Sequence, residues 1–142
     1  MERYLSFTID NLRFIDSFQF MNASLDKLSS YLSPEDFVHT RLHTSADKVD
    51  LLTRKGVFCY DYWDGPEKAD ENHLPPPEAF YSRLLDKHVS DEDYAHAQRV
   101  WSSFQLQTLG DYHDLYLKTD VLILGKTKTC FSVNNSHLIF SM

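Results

Sequence analysis

Two amphipathic runs, at residues 90–104 and 108–124, constrain this chain most, because each carries an apolar stripe that must be covered. Ser90 suits the N-cap of the first run, where its hydroxyl can accept a bond from an orphan amide. Asp91, Glu92 and Asp93 then fall in the first turn, near the positive end of the helix dipole. The stripe is Tyr94, Ala97, Val100, Trp101 and Phe104. Thr108 opens the second run, and the pattern carries it to about Leu124. On a wheel of about 100° per residue, Leu109, Tyr112, His113, Tyr116, Leu117, Ile123 and Leu124 share one broad face. Asp111, Asp114 and Lys118 lie roughly opposite.

Asp120 breaks this pattern, falling in the middle of the apolar face, one turn after Tyr116. A carboxylate there is costly unless a cation or a hydrogen-bond donor meets it. The plain explanation is a partner Lys or Arg, or a rim position open to water. The sharper one is a metal ligand beside a phenol. Residues four apart on a helix have Cβ atoms about 6 Å apart, so the pair can hold one water against a bound cation.

Elsewhere the signals are local. Residues 4–9 are aromatic and β-branched and partly alternate, which predicts a strand. Asp10-Asn11 is a turn signal, and residues 12–16 predict a second strand, so the opening reads as a hairpin. Leu25, Leu28 and Leu32 share a helical stripe behind Ser24 as N-cap, and Pro34 marks another helix start after Ser33. Residues 39–48 are polar and unpatterned, and 61–77 read as a long surface loop. After Gly125 the chain turns Ser-, Thr- and Asn-rich and the helical period fades.

The net charge of −7 argues against a basic nucleic-acid-binding domain standing alone. It leaves room for an acidic nuclease domain that borrows positive charge from its neighbours. Cys59 and Cys130 are far apart and suggest neither a disulfide framework nor a thiolate zinc site. With no apolar signal core at the N-terminus and no stretch of membrane-spanning length, the expectation is an intracellular protein, nuclear or cytoplasmic, neither secreted nor membrane-bound.

Tyr116-Leu117-Lys118-Thr119-Asp120 fits Tyr-x-x-x-Asp, the third exonuclease motif of family B DNA polymerases. Its wider setting, residues 110–122, resembles the protein-primed polymerases of Maverick/Polinton-type transposons and related viral and organellar enzymes. So do Arg13-Phe14-Ile15-Asp16-Ser17-Phe18-Gln19-Phe20-Met21, Leu74-Pro75-Pro76 with Glu78-Ala79-Phe80-Tyr81-Ser82, and Ser90-Asp91-Glu92-Asp93-Tyr94. The segments come in the family's order and span about residues 1–124.

The resemblance implies an α/β (α+β) fold, a partial ribonuclease H-like 3′–5′ exonuclease domain whose incomplete mixed sheet is flanked by packed helices. It implies Asp120 as ligand to one of two Mg²⁺ or Mn²⁺ ions, roughly 4 Å apart, and Tyr116 as the residue that orients the attacking water. It implies a single-stranded DNA 3′ end as substrate and a terminal protein primer as partner of the parent enzyme. Ser17 and Phe18 sit where protein-primed relatives carry a Ser/Thr-Leu motif that holds that 3′ end. Phe18 departs from the motif, and an exposed Phe stacking on a base stands against a Phe packed in a strand.

Two departures matter more. The Asp-x-Glu motif and the Asn/Asp motif, which supply the family's other carboxylates, have no copy in this sequence. One carboxylate cannot hold two cations, which need several oxygen ligands. The expectation is therefore a fragment of a DNA-directed DNA polymerase that is inactive and binds no stable metal alone. The alternative is a non-catalytic, decayed or domesticated binding module. Residues 125–142 read as an unrelated tail, from translated intron or frameshifted DNA. Among smaller signals, His39 and His43 could share a helix face, but no third zinc ligand is in view. His113 can bond Asp120 or simply pack. Lys55 and Tyr60 could approach DNA, or be a surface Lys and a core Tyr.

Overall fold

A computed structural model describes residues 6–10, 12–15 and 24–134, and side chains for 8–10 and 24–126. Ser17 and Phe18 lie outside the described residues. The fold is mixed and mostly helical. Strands β1 (Ser6–Ile9) and β2 (Leu12–Ile15) form the expected hairpin, antiparallel with Ser6 opposite Ile15 and Ile9 opposite Leu12. Asp10 takes φ 50° in the turn, a left-handed conformation that Asp tolerates better than most residues.

Helix α1 (Leu25–Ser29) starts where Ser24 Oγ accepts from the Lys27 N–H at 3.3 Å, and it buries Leu28. A 3₁₀ turn at Pro34–Asp36 follows, locked by Asp36, whose carboxylate accepts from the Ser33 N–H and hydroxyl, each at 2.9 Å. Residues 39–48 are more ordered than their pattern suggests. Helix α2 (Val38–His43) buries only Thr40, just after buried Phe37, and its Val38 and Leu42 stay exposed. Two inward positions on so short a helix leave no legible period. The 3₁₀ helix Ala46–Leu52 then buries Val49 and Leu52, three apart, as a three-residue turn requires.

The long loop carries two further 3₁₀ turns, Pro66–Asp70 and Pro77–Phe80, and it is anchored. Tyr62 donates to Glu71 at 2.9 and 3.0 Å, and Lys68 meets Glu71 at 2.9 Å while lying 3.9 Å over the Tyr62 ring. Pro75 is fully buried. Midway along, the Glu71 carbonyl accepts the Leu109 N–H at 2.8 Å. Gly110 gives close room at that junction: a Cβ there would stand 3.1 Å from the Ala69 carbonyl oxygen, and the backbone would have to yield by a few tenths of an ångström.

Helix α3 (Asp91–Ser103) starts at Ser90 as expected, and Ser90 Oγ accepts from the Asp93 N–H at 3.1 Å. It buries Ala97 and Val100, with Tyr94, Trp101 and Phe104 partly covered. Helix α4 (Leu109–Asn134) opens on a reciprocal cap. The Asp111 carboxylate accepts from the Gln107 and Thr108 N–H groups at 3.0 Å, and Thr108 Oγ1 accepts from the Asp111 N–H at 3.1 Å. The helix runs past Leu124, through Gly125, to Asn134. Packing accounts for part of this extension: α1 and α2 lie against α4, Ile123 is fully buried, and Lys126 pairs with Asp36 at 3.4 Å. The main core joins Phe58, Cys59 and Phe80 to Ala97 and Val100 of α3 and Leu109, Tyr112 and Tyr116 of α4. Cys59 is free, and burial pushes its thiol up to about 11. Among the described residues no helix is long and apolar enough to cross a membrane.

Candidate functional site

Helix α4 places Tyr116 and Asp120 one turn apart, as their spacing requires. Tyr116 is buried. Its ring stacks on Phe58 at 5.4 Å and meets Tyr60 edge-on at 6.0 Å. Its hydroxyl shares a 2.6 Å hydrogen bond with that of Tyr60. Burial, then the Tyr60 bond, then the Asp120 charge push the phenol far above its ordinary range.

Asp120 is half-buried, and its Oδ1 is shut from solvent with no hydrogen-bond partner among the described residues. Burial raises its carboxyl above the ordinary value, while the Tyr116 hydroxyl and the charge of Lys55 pull it back. Neither plain explanation for Asp120 is met in full. Lys55 acts on it from a distance rather than in an ion pair, and Oδ1 does not face water. The neighbouring residue, Thr119, satisfies itself by donating to the Leu115 carbonyl at 2.8 Å.

A groove of about 240 Å³ reaches Tyr116 from the surface. Phe58, Tyr60 and Phe80 give it an aromatic wall, and Lys55, Lys87 and His88 line it with basic groups beside one carboxylate, Asp93, which is paired with Arg54. Such a lining suits an anionic ligand with flat apolar parts. Of these residues Lys55 and Tyr60 stood out in the sequence as possible DNA contacts, and Phe80 lay within a segment that carries the resemblance. Tyr60 is 64% exposed, so it is a surface tyrosine rather than a core one.

His113 does not turn to Asp120. It stacks on Trp63 at 4.9 Å and meets Asp114 at 3.3 Å, so it packs. His39 and His43 are both exposed on α2. Among the described residues no three His, Cys, Asp or Glu side chains are grouped to hold a metal ion. Around Asp120 the described donors are one carboxylate, a phenol and a lysine's charge, and this set does not fit a two-cation centre. No protein-family model matches the chain, and no curated protein or solved structure matches it.

Proposed function

We propose that this chain is part of the 3′–5′ exonuclease region of a protein-primed, family B DNA polymerase, of ribonuclease H-like fold, and is inactive alone. Tyr116 and Asp120 are its contribution to the nuclease site. The observation that carries this reading is Asp120 Oδ1, buried and with no hydrogen-bond partner among the described residues, one turn from a buried phenol. A fold that keeps a carboxylate at such cost keeps it for a cation or a donor brought from elsewhere. The family's Mg²⁺ or Mn²⁺ ions would need the further carboxylates of the two motifs this sequence lacks. The groove beside Tyr116, with Lys55 and Lys87, then serves a single-stranded DNA end. The terminal protein primer remains a partner of the parent enzyme.

The test is Mn²⁺-dependent degradation of a 5′-labelled single-stranded oligonucleotide. The expected result is no cleavage by this chain, and cleavage by a longer chain that restores both upstream motifs, lost on Asp120→Ala. Cleavage by the longer chain that survives Asp120→Ala contradicts the assignment of Asp120. Cleavage by this chain alone, lost on Asp120→Ala, contradicts its being inactive alone. The donor set around Asp120 favours a second reading, a binding module without catalysis. That reading predicts retained binding of the oligonucleotide and no cleavage even with both motifs restored.

A further inference from the structure

Tyr116 is held from three alternate positions of one stretch of chain. Gly56, Phe58 and Tyr60 all meet its ring or hydroxyl, and an i, i+2, i+4 spacing is that of one face of an extended chain. Phe58 supplies a stacked ring at 5.4 Å. Gly56 supplies room: a Cβ there would stand 3.3 Å from Tyr116 Cδ2, so the ring would have to give way. Tyr60 supplies the 2.6 Å bond that fixes the hydroxyl. One turn earlier on α4, the Tyr112 hydroxyl donates to the Val57 carbonyl at 2.7 Å, tying the same stretch to the helix independently of Tyr60.

We propose that Gly56 and Tyr60 are positioning residues for Tyr116, the first by leaving space in which its ring seats and the second by fixing the direction of its hydroxyl. Neither touches the reacting atoms. The helix alone sets where the Tyr116 Cα lies, while the hydroxyl direction follows from a partner 56 residues upstream. The purpose of this positioning rests on the nuclease reading, although the geometry does not.

The experiment uses the full chain with ¹³C at the tyrosine Cζ, and reads hydroxyl proton exchange for each tyrosine. Tyr60→Phe removes one hydroxyl from an exposed ring and leaves the fold in place. With Tyr116 as the donor in the shared bond, the expected result is about tenfold faster exchange at the Tyr116 hydroxyl, with Tyr112 unchanged as the internal reference. Gly56→Ala should move the Tyr116 ring resonances, whereas Gly125→Ala, whose Cβ meets nothing within 4 Å, should not. Unchanged Tyr116 exchange in Tyr60→Phe overturns the proposal. So does equal acceleration at Tyr112, which would mean the stretch has come loose. Unmoved Tyr116 ring resonances in Gly56→Ala overturn the part given to Gly56. The readout is a hydroxyl rather than a cut phosphodiester, so it can fail while the nuclease reading stands, and the reverse.

Discussion

Asp93 at the start of α3 and Asp120 inside α4 are both partly buried carboxylates, and the fold treats them in opposite ways. Asp93 accepts from Ser90 Oγ at 2.7 Å and pairs with Arg54, and these contacts hold its carboxyl below the ordinary range. Asp120 has a buried oxygen with no hydrogen-bond partner among the described residues, and burial lifts its carboxyl. The first carboxylate stabilises a helix start. The second sits where burial disfavours its charge, which is the feature the proposed site rests on.

The largest way to break this comparison is to remove the ground both regions stand on. Leu109 is fully buried at the start of α4 and belongs to the core that α3 shares. Leu109→Ala should cost about 2–5 kcal/mol in urea denaturation, with the loss reaching both helices together. Asp93→Ala should cost about 1–2 kcal/mol, because it strips Ser90 of an acceptor and leaves Arg54 without its closest partner. A cost near zero would show that the Asp93 carboxylate adds nothing to the helix start beyond its backbone bond to Ser90.

The two carboxylates also predict opposite pH behaviour. A depressed carboxyl contributes stability above its unfolded pKa and loses it as pH falls through the folded value, so the Asp93 contribution fades in acid. A raised carboxyl is the reverse: the penalty from Asp120 is absent below its unfolded pKa and grows as pH rises through the folded value. Urea midpoints of Asp93→Asn and Asp120→Asn, each measured against the parent chain, should therefore diverge above about pH 4 in opposite directions. The smallest effect belongs to Ser24, whose cap bond to Lys27 is exposed and, at 3.3 Å, long. Ser24→Ala should cost about 0.5 kcal/mol by the same denaturation.

Sequence reasoning read well where the physics is local. The caps at Ser24, Ser90 and Thr108, the hairpin at Asp10 and the stripes of α3 and α4 each depend on residues within four or so of one another. Asp120 was legible for the same reason, since a helix wheel exposes a polar residue on an apolar face. The rest depends on distant partners. The stretch holding Gly56, Phe58, Cys59 and Tyr60 forms no regular element, yet it carries part of the core and the bond to Tyr116. Arg54 lies 39 residues from Asp93, and nothing in the local pattern joins them. The apolar period fades after Gly125, which predicts that α4 ends near Leu124, but the contacts of α1 and α2 with α4 and the Lys126–Asp36 pair favour continuing it. Ser17 and Phe18 were read from the resemblance alone.

The most direct measurement on this chain is the stability of Asp120→Asn at pH 7. The amide keeps the shape of the carboxylate and removes its charge. If Asp120 is held for a cation or donor that the described residues do not supply, the variant should be more stable than the parent by on the order of 1 kcal/mol. A variant less stable by a similar amount would mean that the carboxylate is already satisfied by a structural partner, and Asp120 would lose its claim to a site.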